Sequence, residues 1–163
     1  MNHRISTTLP LLSVVFAMLC LSLFSSSCER QEKRPSKNNA TTAVEQFCAA
    51  FFNLQYEAAL QYCTPESQKW IYFAASNVQD EDLSLLRNRE GGTSIEVTEI
   101  DASETDSIGH ATVKVGNFLS MDKIDDKGHI AEEGIFHFEL VKREGKWKVR
   151  MEGLPQNEMR NHD

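Results

Sequence analysis

"SIEVTEIDASETDSIGHATVKVGNFLS", residues 94–120, is where the chain changes period. Apolar and polar residues alternate here, and the apolar ones are largely β-branched or aromatic, which is strand chemistry. Ala111, Val113 and Val115 share one face, with His110, Thr112 and Lys114 on the other. The polar run "IDASETDS" in the middle reads as a hairpin turn.

The alternation continues downstream. In "GIFHFELVK" (134–142) Phe136, Phe138 and Leu140 line up, and in "KWKVRME" (146–152) Trp147, Val149 and Met151 do. Lys146, Lys148 and Arg150 face the other way, so one side of the sheet is buried and the other wet. "REGK" is short enough for a tight hairpin, and "MDKIDDKGH" reads as a longer exposed loop.

Upstream the spacing is helical. Val44, Phe47, Cys48 and Phe51 fall at i, i+3, i+4 and i+7, and Tyr56, Ala59, Leu60 and Cys63 repeat the pattern. Asn53 between them suits a turn or cap. "TPES" (64–67) opens a third helix, with Thr64 as N-cap, Pro65 in the first turn and Glu66 at the positive dipole end. Trp70, Ile71, Phe73 and Ala74 form its apolar side, "DEDLSLLR" adds a short helical turn, and "REGG" closes the helical half. Helices followed by an antiparallel meander predict an α+β fold: three N-terminal helices on a curved sheet of at least four strands.

The segments "NLQYEAALQYCTPES" (53–67) and "EGKWKVRME" (144–152) resemble the nuclear-transport-factor-2-like superfamily, over residues 40–154. That resemblance implies a cone-shaped α+β domain, with residues 155–163 as a polar tail. It leaves activity open, because the superfamily hosts isomerases, cyclases, hydrolases and plain binding modules. A cone would leave a pocket between helices and sheet, lined by Tyr56, Tyr72, Phe136, Phe138 and Trp147. The competing expectation is that these aromatics simply fill the core.

The N-terminus carries Arg4, an uncharged run from Leu9 to Phe24, then Ser25, Ser26, Ser27 and Cys28. This is the layout of a secretory signal ending at residue 27. With Cys28 at the cleavage point it resembles a bacterial lipoprotein signal, although Ser25 stands where a lipobox usually has leucine. The resemblance implies diacylglycerol and an amide-linked acyl chain on Cys28, a firm membrane anchor. Residues 28–39 hold no apolar residue after the cysteine and read as a flexible tether. The expected address is the cell envelope, lipid-anchored to the outer membrane, with the domain in the periplasm or at the surface.

Removing residues 1–28 takes away one basic residue and no acidic one, leaving a chain of about −8. That charge argues against nucleic acid and against electrostatic docking on anionic lipid. Outside the cytosol, Cys48 and Cys63 on adjacent helices would differ in height by about 4.5 Å, near the reach of a disulfide. Such a bridge would contribute about 3 kcal/mol in the chain-entropy model. Two buried free thiols are the alternative. A redox pair would usually show Cys-x-x-Cys, and zinc would need two more ligands, for which His110 and His137 lack signature spacing.

No Ser-His-Asp or phosphate-loop pattern is present, and no metal or other cofactor is expected. Asp101, Glu104 and Asp106 lie in polar surroundings, and Glu139 alternates with His137 on the wet strand face. Two functions of different class follow. One is a non-catalytic binding or interaction module for an apolar small molecule or an envelope protein, or a homodimer through its sheet face. The other is a small isomerase, cyclase or hydrolase using the cone, which would need a buried titratable group at the pocket floor.

Overall fold

The computed structural model describes residues 39–121 and 127–159. The signal segment, Cys28 and the tether up to residue 38 lie outside the described residues. Helix α1 spans Asn39–Phe51, so Asn39, assigned to the tether on composition, already belongs to the domain. Helix α2 is a single turn, Tyr56–Ala59. A 3-10 turn over Pro65–Ser67 leads into α3, Gln68–Ser76, and α4 covers Asp80–Asn88. The strands are β1 (Ser94–Asp101), β2 (Ile108–Ser120), β3 (His129–Arg143) and β4 (Lys146–Arg150).

The strands form one antiparallel sheet in the order β1-β2-β3-β4. Glu144 and Gly145 both have positive φ (52° and 76°), the backbone a two-residue hairpin demands, and they join β3 to β4. Helix α1 packs on both outer strands, β1 and β4, as well as on the two between them, so the sheet curls around it. The expected α+β architecture is therefore present, with a fourth helix and a much shorter second one.

One residue bends the sheet. Along β2 the buried positions are Gly109, Ala111, Val113 and Val115, then Phe118 and Ser120. The parity changes across Asn117, whose φ is 54°. Asn117 is held there by its own side chain, which donates to the carbonyls of Glu90 (2.7 Å) and Gly92 (3.3 Å). Arg89 donates to the Asn117 carbonyl, to Thr93 Oγ1 and to Asn53 Oδ1, tying the end of α1 to this kink.

The core is aromatic. Phe47 stacks on Phe51 at 5.6 Å and meets Phe138 edge-on at 5.7 Å. Phe52 lies 4.7 Å from Phe136 and 5.4 Å from Phe118. Such ring pairs add to the area each side chain buries. Gly134 makes room for this packing, since a Cβ there would sit 2.9 Å from the rings of both Phe118 and Phe136.

The expected disulfide is not formed: Cys48 and Cys63 are both buried free thiols. The height argument assumed a helix running through Cys63, but α2 ends at Ala59. Cys63 instead sits in a parallel bridge to Val149, flanked by Val149 N–H to the Tyr62 carbonyl (2.8 Å) and Thr64 N–H to the Val149 carbonyl (2.9 Å). Its thiol lies 3.6 Å from the Leu60 carbonyl. Burial pushes the Cys48 thiol well up, with the Glu45 charge acting in the same direction, and burial also raises Cys63.

Candidate functional site on the outer sheet face

Most of the aromatics expected to line an internal pocket are packed into the core. Phe136, Phe138 and Trp147 are buried in the core, and Tyr56 packs edge-on to Phe51 at 5.5 Å. Tyr72 is 59% exposed on α3. The reason is volume: Phe52 and Phe118 occupy the space between α1 and the sheet that a ligand would need. Core filling, the competing expectation, describes Tyr56, Phe136, Phe138 and Trp147, whereas Tyr72 fits neither expectation.

The polar concavity lies on the other side of the sheet, where a hollow of about 480 Å³ is bordered by β1, β2 and β3. Strand register builds it. Asp101 pairs with His110, His110 with Glu139, and Glu139 with Arg150, giving one row across all four strands. Glu99, Thr112 and His137 form the next row. Because side chains alternate with period two, both rows emerge on the same face. Arg150 Nη1 lies 3.2 Å from Glu139 Oε1, an ion pair by distance whose angles fall short of a hydrogen bond, and Arg150 Nη2 bonds Glu152 at 2.9 Å.

His137 is fixed at both nitrogens. Nδ1 is 3.2 Å from Thr112 Oγ1, and Nε2 is 2.9 Å from Glu158 Oε2. A proton on Nε2 donates to the Glu158 carboxylate, and the Thr112 hydroxyl can either donate to Nδ1 or accept from it. Glu158 comes from the C-terminal segment, next to Asn157, whose Oδ1 accepts from the Ile135 N–H at 3.1 Å. Residues assigned to a polar tail thus contribute to this face.

Hydroxyl, imidazole and carboxylate in a row have the connectivity of a nucleophilic relay. The setting is wrong for one. The side chains of His137 and Glu158 are 58% and 53% exposed, so water screens them, and the N–H groups of a laddered sheet are committed to pairing instead of converging on an oxyanion. The groups that burial holds in their protonated form, Cys48, Tyr56 and Cys63, are on the core side, and on the outer face Lys114 is raised by its hydrogen bond to Glu133. Tyr56 is pushed up to about 12 by burial and then by the Asp82 charge. Asp101 and Glu139 do border the hollow, whereas Glu104 and Asp106 lie in the β1–β2 turn, where Ser103 donates to Asp106 at 2.8 Å and holds it below the usual carboxylate range.

A second hollow, of about 490 Å³, lies beside α4 and Gly128. Its deepest side chain, Asp82, is spoken for: Oδ2 accepts from the Gln79 N–H (2.9 Å) and Oδ1 from the Gly128 N–H (3.1 Å). Among the described residues no three His, Cys, Asp or Glu side chains converge as a metal would require, and no helix is long and apolar enough to cross a membrane.

No protein-family model and no curated protein matches the chain. Among solved structures it is similar to an NTF2-like protein of unknown function from Shewanella oneidensis MR-1, at 11% identity and a TM-score of 0.46, covering 68% of this chain and 91% of that one. It is also similar to a candidate NTF2-like transpeptidase from Campylobacter jejuni, at 13% identity and a TM-score of 0.40, covering 71% of this chain and all of that one.

Proposed function

We propose that the protein is an envelope lipoprotein, anchored through Cys28, whose domain binds a partner without catalysing a reaction. The observation that carries this is the division of chemistry across the sheet. The core side is packed with aromatic rings, and the polar side chains stand on the outer face around a shallow, open hollow. A face of that kind suits recognition of an envelope protein, a small molecule, or a second copy of the chain more than it suits a sequestered reaction.

The test is site-specific photo-crosslinking of the full chain in cells, with the photoreactive residue at Thr112 and, as control, at exposed Gln46 on α1. A discrete adduct from Thr112 and none from Gln46 is the expected result. Equal labelling at both positions would overturn the assignment of the binding face. Acyl chains on Cys28, read by mass spectrometry of the N-terminal peptide, are expected in the same preparation; an unmodified cysteine would remove the anchor from the proposal.

A further inference from the structure

We propose that the outer face of α3 rests in the lipid headgroup layer of the membrane that holds the anchor. This deepens the lipoprotein reading and depends on it. Ile71 and Ala74 turn α3 toward the domain, which leaves Lys69, Tyr72, Phe73 and Ser76 on the opposite side. Tyr72 is 59% and Phe73 37% exposed, the largest aromatic surface the described domain presents to solvent. Trp70 flanks them one turn from Phe73, and the Lys69 ammonium lies 5.1 Å from its ring centre.

Three observations select lipid as the occupant. The first is residue type: exposed Tyr72 and Phe73, with Lys69 and half-buried Trp70 beside them, combine apolar rings, a phenol hydroxyl and an ammonium, a mixture suited to a membrane–water boundary, although the Trp70 Nε1 itself is buried. The second is charge. The chain holds 24 acidic residues, yet the nine residues of α3 include none, so this face presents no carboxylate of its own to an anionic bilayer. Glu66, in the turn before α3, is the nearest acidic residue in sequence.

The third is chain length. Residues 28–38 can extend no further than about 40 Å from an anchored Cys28 to the start of α1. Tethering at that range replaces a weak bimolecular encounter with an intramolecular one at high effective concentration. Two exposed rings and the edge of a third are too little to hold a free protein on a bilayer and enough to orient one already attached.

The experiment uses the full lipidated chain in phosphatidylethanolamine–phosphatidylglycerol vesicles, with and without brominated acyl chains. The chain has two tryptophans, and Trp147 is buried in the core, so quenching by bromine reports on Trp70. The expected result is loss of part of the emission in brominated vesicles. That loss disappears in Trp70→Phe and in the surface double variant Tyr72→Ser with Phe73→Ser, while both variants still float with the vesicles. Floating without quenching overturns the docking alone and turns α3 into a protein-binding face. A chain that does not float and carries an unmodified Cys28 overturns the anchor and the docking together.

Discussion

Arg89 Nη1 donates to the carbonyl of Asn117 at 2.8 Å, joining the residue that follows α4 to the middle of β2. The same guanidinium reaches Asn53 Oδ1 at 2.7 Å. Since Asn53 also caps the Ala49 carbonyl at 2.7 Å, one side chain ties together the end of α1, the start of the sheet and its bend.

Replacing Arg89 with alanine removes three hydrogen bonds from a half-buried cation, so a loss of about 2–3 kcal/mol is expected. Arg89→Lys should recover only part of it, because an ammonium lacks the planar fork. Urea unfolding of the three proteins measures this, and equal stability for lysine and arginine would show that charge alone suffices.

At Asn117 the left-handed backbone separates two substitutions. Asn117→Ala loses the side-chain bonds to Glu90 and Gly92 and also strains the backbone, whereas Asn117→Gly loses only the bonds. Alanine is expected to be the less stable by about 1 kcal/mol, read from the same unfolding curves.

Phe52→Ala should open the space that an internal pocket would have occupied. A cost of about 3–5 kcal/mol is expected, together with a dry cavity able to take up benzene. A rise in Tm of the variant with benzene, absent in the parent, verifies it. No rise would show that α1 collapses into the gap.

Alkaline pH should destabilise the domain through Tyr56 and Cys48. Both hold their protons more tightly when folded, Tyr56 up to about 12 from 10, so their contributions are complete below the unfolded values and fade as pH rises through the folded ones. Up to about 2–3 kcal/mol attaches to Tyr56, lost between about pH 10 and 12. Tyr56→Phe should flatten that part of the profile, which urea titrations at several alkaline pH values would show.

The thiols give a direct check on the cysteines. Native protein should react slowly with an alkylating agent, because burial favours the neutral thiol, and denatured protein should take up two equivalents at Cys48 and Cys63. A denatured mass two hydrogens short, with no uptake, would establish a bridge instead.

Much of the architecture was legible in the sequence because it rests on local periodicity. The alternation in 110–115 and 136–140 placed the core face correctly, and Gly145 marked the last hairpin. Tertiary contacts were not legible. Nothing around Cys63 announces that α2 stops four residues earlier to let it pair with Val149. The bend at Asn117 depends on Arg89 and Glu90, distant in sequence. The expected pocket failed on volume, since alternation gives the side a ring faces and not how much space its neighbours leave. The outer-face hollow was half visible: His110, His137 and Glu139 could be assigned to the wet face, but Glu158 joins them only because the segment after β4 returns to β3.

The left-handed turn at Asn117 also constrains how this chain can vary. It reverses the buried face without shifting the pairing with β3: before it the odd-numbered side chains of β2 point inward, and after it the even-numbered ones do. A single-residue insertion between Val115 and Asn117 would leave each half of the strand internally consistent and yet turn Phe118 into water, or force the bend to move. The length of β2 should therefore be held more rigidly than its composition. Loops elsewhere can grow or shrink, but the distance from Val115 to Phe118 is a fixed gauge on which the closure of the aromatic core depends.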